Sequence, residues 1–318
     1  TECFLWPILA KLMAEASRSS DSWDQKGVRT IILYPMNALV SDQLARLRRL
    51  MGDPDNQFRQ IFSLYAPGAR RPQFGMYTGR TPYPGPKEQS YQSRLLAQTL
   101  SRFLPDEERQ KILNFLQQKS EESAAKRAER KGIEPHSDES KQEKLDSAFD
   151  EQYLRDLAQL GRTPAKSNMA DFVLKVAQNI FEADPEDPEL LTRFEMQRTP
   201  PDILITNYSM LEYMMIRDRE ASIWQATKIW LATNPKEKLL IVLDEAHMYR
   251  GSAGGEVALL IRRLFNTLGI DRSRVQFILT TASLPRDAND EIQSFANALT
   301  GEDDPNHHFR VISGTRTR

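Results

Sequence analysis

Short apolar runs rich in β-branched residues alternate along this chain with longer segments of helical periodicity. Because such runs are typical of strands buried on both faces, the alternation predicts an α/β fold with a mostly parallel sheet flanked by helices. The strand-like runs are VRTIILYPM (28–36), FGMYTG (74–79), PDILITNY (201–208), LLIVLDEA (239–246) and VQFILTTAS (275–283). The helical patterns are NALVSDQLARLRRLMG, SMLEYMMIRDREASIWQATKIWL, GGEVALLIRRLFNTLG and DANDEIQSFANALTG.

The alternation is interrupted by a long segment that is polar, charged and poor in β-branched residues. This segment, 83–198, is predicted to be a mainly helical insertion, with a very polar part that is either a solvated helix or a disordered loop. The predicted organisation is therefore 1–82 as the first part of an α/β lobe, 83–198 as the insertion and 199–318 as the remainder of the lobe.

The bulk composition excludes several classes of protein. The 318 residues carry a net charge of −1, so any binding to nucleic acid must depend on local charge. The single cysteine, Cys3, excludes an intrachain disulfide and thiolate zinc clusters. A single cysteine fits a reducing, cytoplasmic location. Since the apolar runs are far shorter than the ~20 residues of a membrane span, we expect no membrane partner.

The run LLIVLDEAHMYRG ends an apolar strand in two adjacent carboxylates, Asp244 and Glu245. Carboxylates just past the end of a parallel strand lie where α/β proteins bind their ligands. In phosphoryl transfer the first can hold Mg²⁺ and the second can orient the attacking water. The alternative, an acidic turn without chemistry, is disfavoured because this tetrapeptide after six apolar residues seldom arises by chance.

Three other strand ends carry polar or turn-forming residues. They are Pro35 with Asn37, Thr206 with Asn207, and the TTAS run at 280–283. The amides at a helix start can hold a phosphate of a nucleic-acid backbone. Each site taken alone is compatible with an ordinary strand-to-helix junction, so it is their order around DEAH that suggests function.

In that order these segments resemble superfamily 2 helicases, which have a P-loop NTPase lobe of the RecA-like type. YPMNALVSDQ resembles motif Ia, TNYSMLEYM motif Ib, DEAH motif II, and TAS motif III, while FGMYTGRT resembles the strand and turn between Ia and Ib. The resemblance implies ATP and Mg²⁺ as cofactors and nucleic acid as a partner, with DNA favoured over RNA. The resemblance also implies which residues contact the nucleic-acid backbone: Pro35, Asn37, Thr78, Gly79, Thr206 and Asn207.

The same resemblance assigns roles at the ATP site. These helicases need a Gly-rich loop ending in Gly-Lys-Thr or Gly-Lys-Ser, which this sequence lacks. Because the chain opens TECFLWP, in the manner of the segment that follows the loop, Thr1 is expected to be its hydroxyl residue, with the lysine immediately upstream in the parent protein. The alternative is a degenerate helicase that has no such loop. Thr1 and Asp244 would then hold Mg²⁺, with Glu245 as the group acting on water.

Coupling between the ATP site and the nucleic acid is expected from the fourth residue of DEAH. His247 would link the ATP site to motif III, that is, to Thr281, Ala282 and Ser283. The alternatives are a purely structural histidine and simple strand capping by the two hydroxyls. A basic cluster at Arg46, Arg48 and Arg49, on the helix after motif Ia, is either a solvated face or a phosphate contact.

Two narrower resemblances bear on the biological role. HMYRGSAGGEVALLIRRL is similar to bacterial and fungal helicases of the Hrq1 and MrfA type, which act in DNA repair. TPPDILITNYSMLEYM resembles large helicases of bacterial anti-phage defence clusters, such as the Druantia system. Both imply an ATP-dependent motor on DNA, with a second RecA-like lobe in the parent chain and further subunits of a defence complex as partners.

Because ATP lies between two lobes in this superfamily, residues 1–318 alone are expected to have no useful turnover. The competing hypothesis is a non-catalytic nucleic-acid clamp, or a scaffold subunit of a defence complex. An intact Glu245 argues against it, since a binding module has no need of that carboxylate.

Overall fold

A computed structural model describes residues 3–52, 57–82, 90–131, 151–160, 162–281, 289–304 and 307–312. The chain divides into two compact units. The first consists of Thr1–Ser41 with Asp202–Arg318, and the second is Asp42–Pro201. The second unit thus contains more of the chain than the polar segment 83–198.

The first unit is a parallel sheet with helices around it. Its strands are β1 (Thr30–Tyr34), β4 (Ile203–Asn207), β5 (Leu239–Leu243) and β6 (Val275–Leu279). Its helices are α1 (Leu5–Arg18), α2 (Ser20–Asp24), the start of α3 (Asn37–Gly52), α10 (Tyr208–Ile216), α11 (Ala221–Thr233), α12 (Gly251–Leu268) and α13 (Asn289–Thr300). The alternation of strands and helices confirms the predicted α/β class.

The strands of the first unit pair in the order β4-β1-β5-β6, and every pairing is parallel. All residues of β1 and β5 are buried, as the continuous apolar runs TIILY and LLIVL predict for strands covered on both faces. Parallel pairing brings the carboxyl ends of these strands to one edge of the sheet. The residues that follow Tyr34, Leu243 and Leu279 are therefore neighbours.

A buried arginine stands at the opposite, amino-terminal end of β1. The guanidinium of Arg29 is fully buried, 4.7 Å from the ring centroid of Trp230 and 5.3 Å from that of Trp23. It contacts the carboxylates of Glu15 at 3.1 Å and Asp202 at 3.4 Å. These partners compensate a charge that would otherwise be costly to bury, so this group is structural.

The second unit is mainly helical. Its helices are α4 (Gln57–Tyr65), α5 (Ser90–Leu100), α6 (Asp106–Lys131), α7 (Glu151–Gln159), α8 (Met169–Ala177) and α9 (Arg193–Arg198), together with most of α3. Two short strands, β2 (Phe74–Met76) and β3 (Glu189–Leu190), pair in parallel. Apolar residues of α5 to α8, including Leu100, Leu154 and Val173, form one buried core. This confirms a helical character for much of the polar segment.

Two expectations need correction. The pattern 209–231 predicted one helix, but α10 ends at Ile216 and a 3₁₀ turn, Asp218–Glu220, precedes α11. The charged run RDRE supplies no apolar residues to continue the buried face, and Arg217 adopts an extended backbone. The short strand β3 has no apolar run of its own and was not predicted.

The second correction concerns the basic cluster on α3. Arg48 is not available to a phosphate, because its side chain is buried and binds both oxygens of Glu189, at 2.8 and 2.7 Å. Glu189 Oε2 also accepts the amide of Ala165 at 2.8 Å. Such a bidentate pair is satisfied on both sides, so Arg48 stabilises the second unit.

No helix in the described ranges combines the length and the apolar character needed to span a bilayer.

Candidate nucleotide and nucleic-acid site

The DEAH turn begins where β5 leaves the sheet. The Asp244 amide donates to Leu33 O at 3.1 Å, so this residue still belongs to the ladder with β1. On the other side, Thr280 N donates to Leu243 O at 3.0 Å and Ala246 N donates to Thr280 O at 2.8 Å. Asp244 is thereby fixed between the carboxyl ends of β1 and β6.

The carboxylate of Asp244 is buried, with 2% of the residue exposed, and accepts a hydrogen bond from the hydroxyl of Thr280. A hydroxyl donor orients a carboxylate without neutralising its charge. Carboxylate oxygens are the protein ligands that Mg²⁺ prefers. Asp244 therefore fits the role of a metal ligand by its chemistry and by its place at the sheet edge.

Glu245 has a left-handed backbone, with φ 50° and ψ 45°. A non-glycine residue in this region costs on the order of 1–3 kcal/mol, and such residues are concentrated at functional sites. The conformation turns the chain sharply into a single 3₁₀ turn, Ala246–Met248, closed by Met248 N donating to Glu245 O at 2.9 Å. The Glu245 side chain stays 23% exposed, so a substrate water can reach it.

His247 brings two chain segments together. Its Nδ1 lies 3.3 Å from Glu245 Oε2 and 3.2 Å from Thr281 Oγ1. One ring nitrogen thus stands between the carboxylate expected to act on water and the first residue of the motif III-like segment. A histidine in this place can transmit a displacement of Thr281 to Glu245.

Tyr249 follows this turn and is buried, with 3% of the residue exposed. Within the described residues its hydroxyl has no hydrogen-bond partner. Burial, with smaller contributions from Asp244 and Tyr208, raises the pKa of this hydroxyl well above its ordinary value of 10.0. The Tyr249 phenol therefore stays neutral next to the acidic pair.

The carbonyl of Tyr249 packs tightly against the first turns of α12. A Cβ placed on Gly254 would lie 2.3 Å from Tyr249 O, closer than any side chain can approach. Only glycine fits here, so the DEAH turn and α12 form a close-packed pair.

The predicted nucleic-acid residues of the first unit lie at the same sheet edge. Register pairs Tyr34 of β1 with Asn207 of β4, so Pro35 and Asn207 are near the ends of adjacent strands. Asn207 Oδ1 accepts the amide of Met210 at 2.8 Å and caps α10, while Thr206 is fully buried. Asn37 begins α3, but its side chain lies outside the described part.

In the second unit, Thr78 and Gly79 follow β2 and form a tight turn. Thr78 is buried, and its Oγ1 accepts the amide of Arg80 at 3.2 Å. Gly79 is exposed, and nothing lies within 4 Å of the position of a Cβ on it. If this turn meets a phosphate, the contact falls on the Gly79 backbone and not on the Thr78 hydroxyl.

Three predicted residues, Thr1, Ala282 and Ser283, lie outside the described residues. Within the described residues there is no group of three or more His, Cys, Asp or Glu side chains able to hold a metal by themselves.

Sequence reasoning named Thr280 only as part of the TTAS run, without a role, and did not single out Gly254. The contact of Thr280 with Asp244 could have been found from the register, because Leu243 pairs with Leu279 and the residues that follow them must be neighbours. Gly254 carries no comparable signal, since a glycine near a helix start has several explanations.

Comparison with known proteins gives a consistent result. The family model for the DEAD/DEAH box helicase matches residues 151–291. The Druantia protein DruE of Escherichia coli is 43% identical over 99% of this chain, which spans only 16% of that protein. An uncharacterized ATP-dependent helicase of Methanocaldococcus jannaschii is 30% identical over 31% of the chain and 13% of its own length. No solved structure matches the chain significantly.

Proposed function

Because the chain carries a DEAD/DEAH box helicase domain, we propose that it is the first nucleotide-binding lobe of an ATP-dependent superfamily 2 motor that translocates on DNA. The observation that carries the proposal is the arrangement at the DEAH turn. Asp244 is fixed at the carboxyl edge of the sheet, and Glu245 and Thr281 meet at one nitrogen of His247.

Asp244 would hold the metal ion, together with Thr1 at the opening of the chain. Bound ATP with Mg²⁺ supplies the phosphoryl group and the positive charge that stabilises it during transfer. Glu245 would orient the attacking water and accept its proton, because its side chain is partly exposed beside a buried carboxylate. Thr280 would keep Asp244 in position through its hydroxyl.

His247 would couple hydrolysis to the nucleic acid through Thr281 and the adjoining Ala282 and Ser283. Contacts to the tracking strand would come from Pro35, Asn37, Thr206 and Asn207 at this edge, and from the turn after β2. They would reach phosphates and sugars and so would not read base sequence.

The relative named as a Druantia protein supports a role in anti-phage defence, with other defence subunits as partners. We propose that the protein moves along DNA rather than RNA. Turnover would need a second RecA-like lobe, so the chain of residues 1–318 alone would hydrolyse ATP poorly.

The proposal is tested in a longer parent protein that contains this chain, by measuring ATP hydrolysis with and without single-stranded DNA. Glu245→Gln should lower the stimulated rate by about 10²–10⁴-fold while ATP binding persists. Glu256→Gln, an exposed carboxylate on α12, is the matched control and should leave the rate unchanged.

DNA binding without hydrolysis in the unaltered parent would support the competing hypothesis of a non-catalytic clamp. Matched RNA and DNA strands of one sequence decide the track, because the proposed motor should be stimulated more strongly by DNA.

A further inference from the structure

The turn after β2 is closed by its own polar groups. Thr81 Oγ1 accepts the amide of Thr78 at 2.8 Å and donates to Met76 O at 2.6 Å. The amide of Thr81 also donates to Thr78 O at 3.2 Å. This leaves Gly79 at the tip, exposed and with no side chain to obstruct a phosphate.

Residues of the polar segment hold this turn from α9. Arg193 Nη2 donates to Thr78 O at 3.0 Å, and the Arg193 amide donates to Pro82 O at 3.0 Å. The same guanidinium lies 5.3 Å from the ring centroid of Tyr77. Gln197, one helical turn further on, donates to the Tyr77 hydroxyl at 3.0 Å. The short helix α9 therefore contacts the turn near both of its ends.

A second contact comes from α7. The guanidinium of Arg80 lies 5.1 Å from the ring centroid of Tyr153. Cation–π contacts of this kind contribute modestly at exposed sites, but this one fixes the direction of the side chain next to Gly79.

The helix that carries Arg193 is itself fixed by a buried charge network. Thr192 and Glu195 form a capping box at its start. Glu195 Oε1 binds the fully buried Lys166 Nζ at 2.5 Å, and that ammonium also binds Asp187 at 2.9 Å. Burying three charges is costly unless each is well paired, and here the pairing defines where α9 begins.

We propose that Arg193 is a positioning residue for the nucleic-acid backbone, and that α9 and α7 of the polar segment brace the Thr78–Thr81 turn. The ligand is the phosphodiester backbone of a single strand, which approaches the Gly79 amide while Arg193 stays behind the turn. This inference rests on the proposed function, because it assumes that the turn lies on the nucleic-acid track.

The test uses the parent protein and a fluorescent oligo-dT strand as the probe, with anisotropy read at several salt concentrations. Arg193→Gln should weaken binding by about tenfold, and the strand concentration that half-saturates ATPase stimulation should rise in parallel. The saturated ATPase rate should change much less. Arg198→Gln, on the same helix with a side chain that is 43% exposed, is the control and should behave as the unaltered protein.

The salt dependence separates positioning from direct contact. A side chain that touches a phosphate removes about one unit from the slope of log K against log salt when it is neutralised. Because Arg193 binds the turn and not the strand, the slope should stay unchanged. A slope reduced by a full unit would overturn the positioning role.

Tyr77→Phe keeps the ring and removes only the hydroxyl that Gln197 contacts, so it tests the brace if Arg193→Gln fails to fold. It should weaken oligo-dT binding by about two- to threefold, which corresponds to the loss of one modest hydrogen bond. Normal affinity in this variant, or in a folded Arg193→Gln protein, would refute the inference while leaving the motor intact. If the unaltered parent protein shows no DNA-stimulated hydrolysis, the proposed function is wrong. The inference about Arg193 is then wrong as well, because it depends on that function.

Discussion

The Nδ1 atom of His247 lies 3.2 Å from the Oγ1 atom of Thr281, and the two residues leave neighbouring strands of the sheet. Because the same nitrogen is 3.3 Å from Glu245 Oε2, one side chain contacts both the segment after β6 and the carboxylate. The contact requires residues that follow both β5 and β6.

Thr281→Val should reduce the DNA-stimulated ATPase of the parent protein by about tenfold, a loss of roughly 1.4 kcal/mol of coupling. The physical reason is the loss of the hydroxyl that His247 contacts. Combining Thr281→Val with His247→Ala in a double-mutant cycle should give an interaction energy of about 0.5–3 kcal/mol. Thr267→Val, which removes a hydroxyl that donates to Arg263 O within α12, is the control. Strict additivity would show that the two residues act independently.

Thr280→Val should lower the free energy of unfolding by about 1–3 kcal/mol, because the buried Asp244 would lose a hydrogen-bond donor. Urea denaturation of the chain measures the change. Thr280→Ser keeps the hydroxyl and should recover most of the stability. An unfolding free energy for the valine variant equal to that of the unaltered chain would contradict the structural role of this bond.

Lys166→Met should destabilise the second unit by about 3–5 kcal/mol, because it leaves Asp187 and Glu195 buried without their cation. Burial lowers the pKa of Lys166, but the two carboxylates outweigh it, and the net pKa is raised above 10.5. The contribution of this ammonium to stability is therefore complete below pH 10.5 and is lost as the pH rises further.

Urea unfolding of the unaltered chain and of Lys166→Met, at pH 8 and at pH 11, checks this predicted loss of stability with rising pH. The stability difference between the two proteins should be smaller at pH 11. The exposed Lys111, paired with Glu107 on α6, gives the matched control in Lys111→Met, which should have little effect at pH 8. A stability difference between the two proteins that is larger at pH 11 than at pH 8 would contradict a stabilising ion pair at Lys166.

Arg48→Met should destabilise the chain by about 3–5 kcal/mol and leave the salt slope of DNA binding unchanged, because Arg48 is buried against Glu189. Its neighbour Arg49 is exposed. If the basic cluster of α3 contacts phosphates, Arg49→Met should reduce the slope by about one unit with little loss of stability. The reverse assignment, with Arg48 changing the slope, would contradict the ion pair.

Much of the fold was predictable because its signals are local. The mainly apolar runs predicted as buried strands at 28–36 and 239–246 contain β1, Thr30–Tyr34, and β5, Leu239–Leu243. The helix predicted at 37–52 has the same bounds as α3. In contrast, the burial of Arg48 depends on Glu189, which is 141 residues away, and no local pattern carries that pairing.

The candidate site, too, was predictable from the sequence only in part. Asp244 and Glu245 stand out because two carboxylates interrupt an apolar run. The bond from Thr280 to Asp244 and the left-handed backbone of Glu245 depend on strand register and turn geometry. The sequence therefore indicates which residues carry the chemistry, whereas the structure shows which neighbours orient them.

Glycine at position 254 allows the backbone of α12 to lie directly against the carbonyl of Tyr249, where any Cβ would collide. The start of α12 and the DEAH turn are therefore packed without a gap, and neither can shift without displacing the other. If the proposed function holds, a partner that tilts α12 should move Asp244 and Glu245 with it, without approaching the nucleotide.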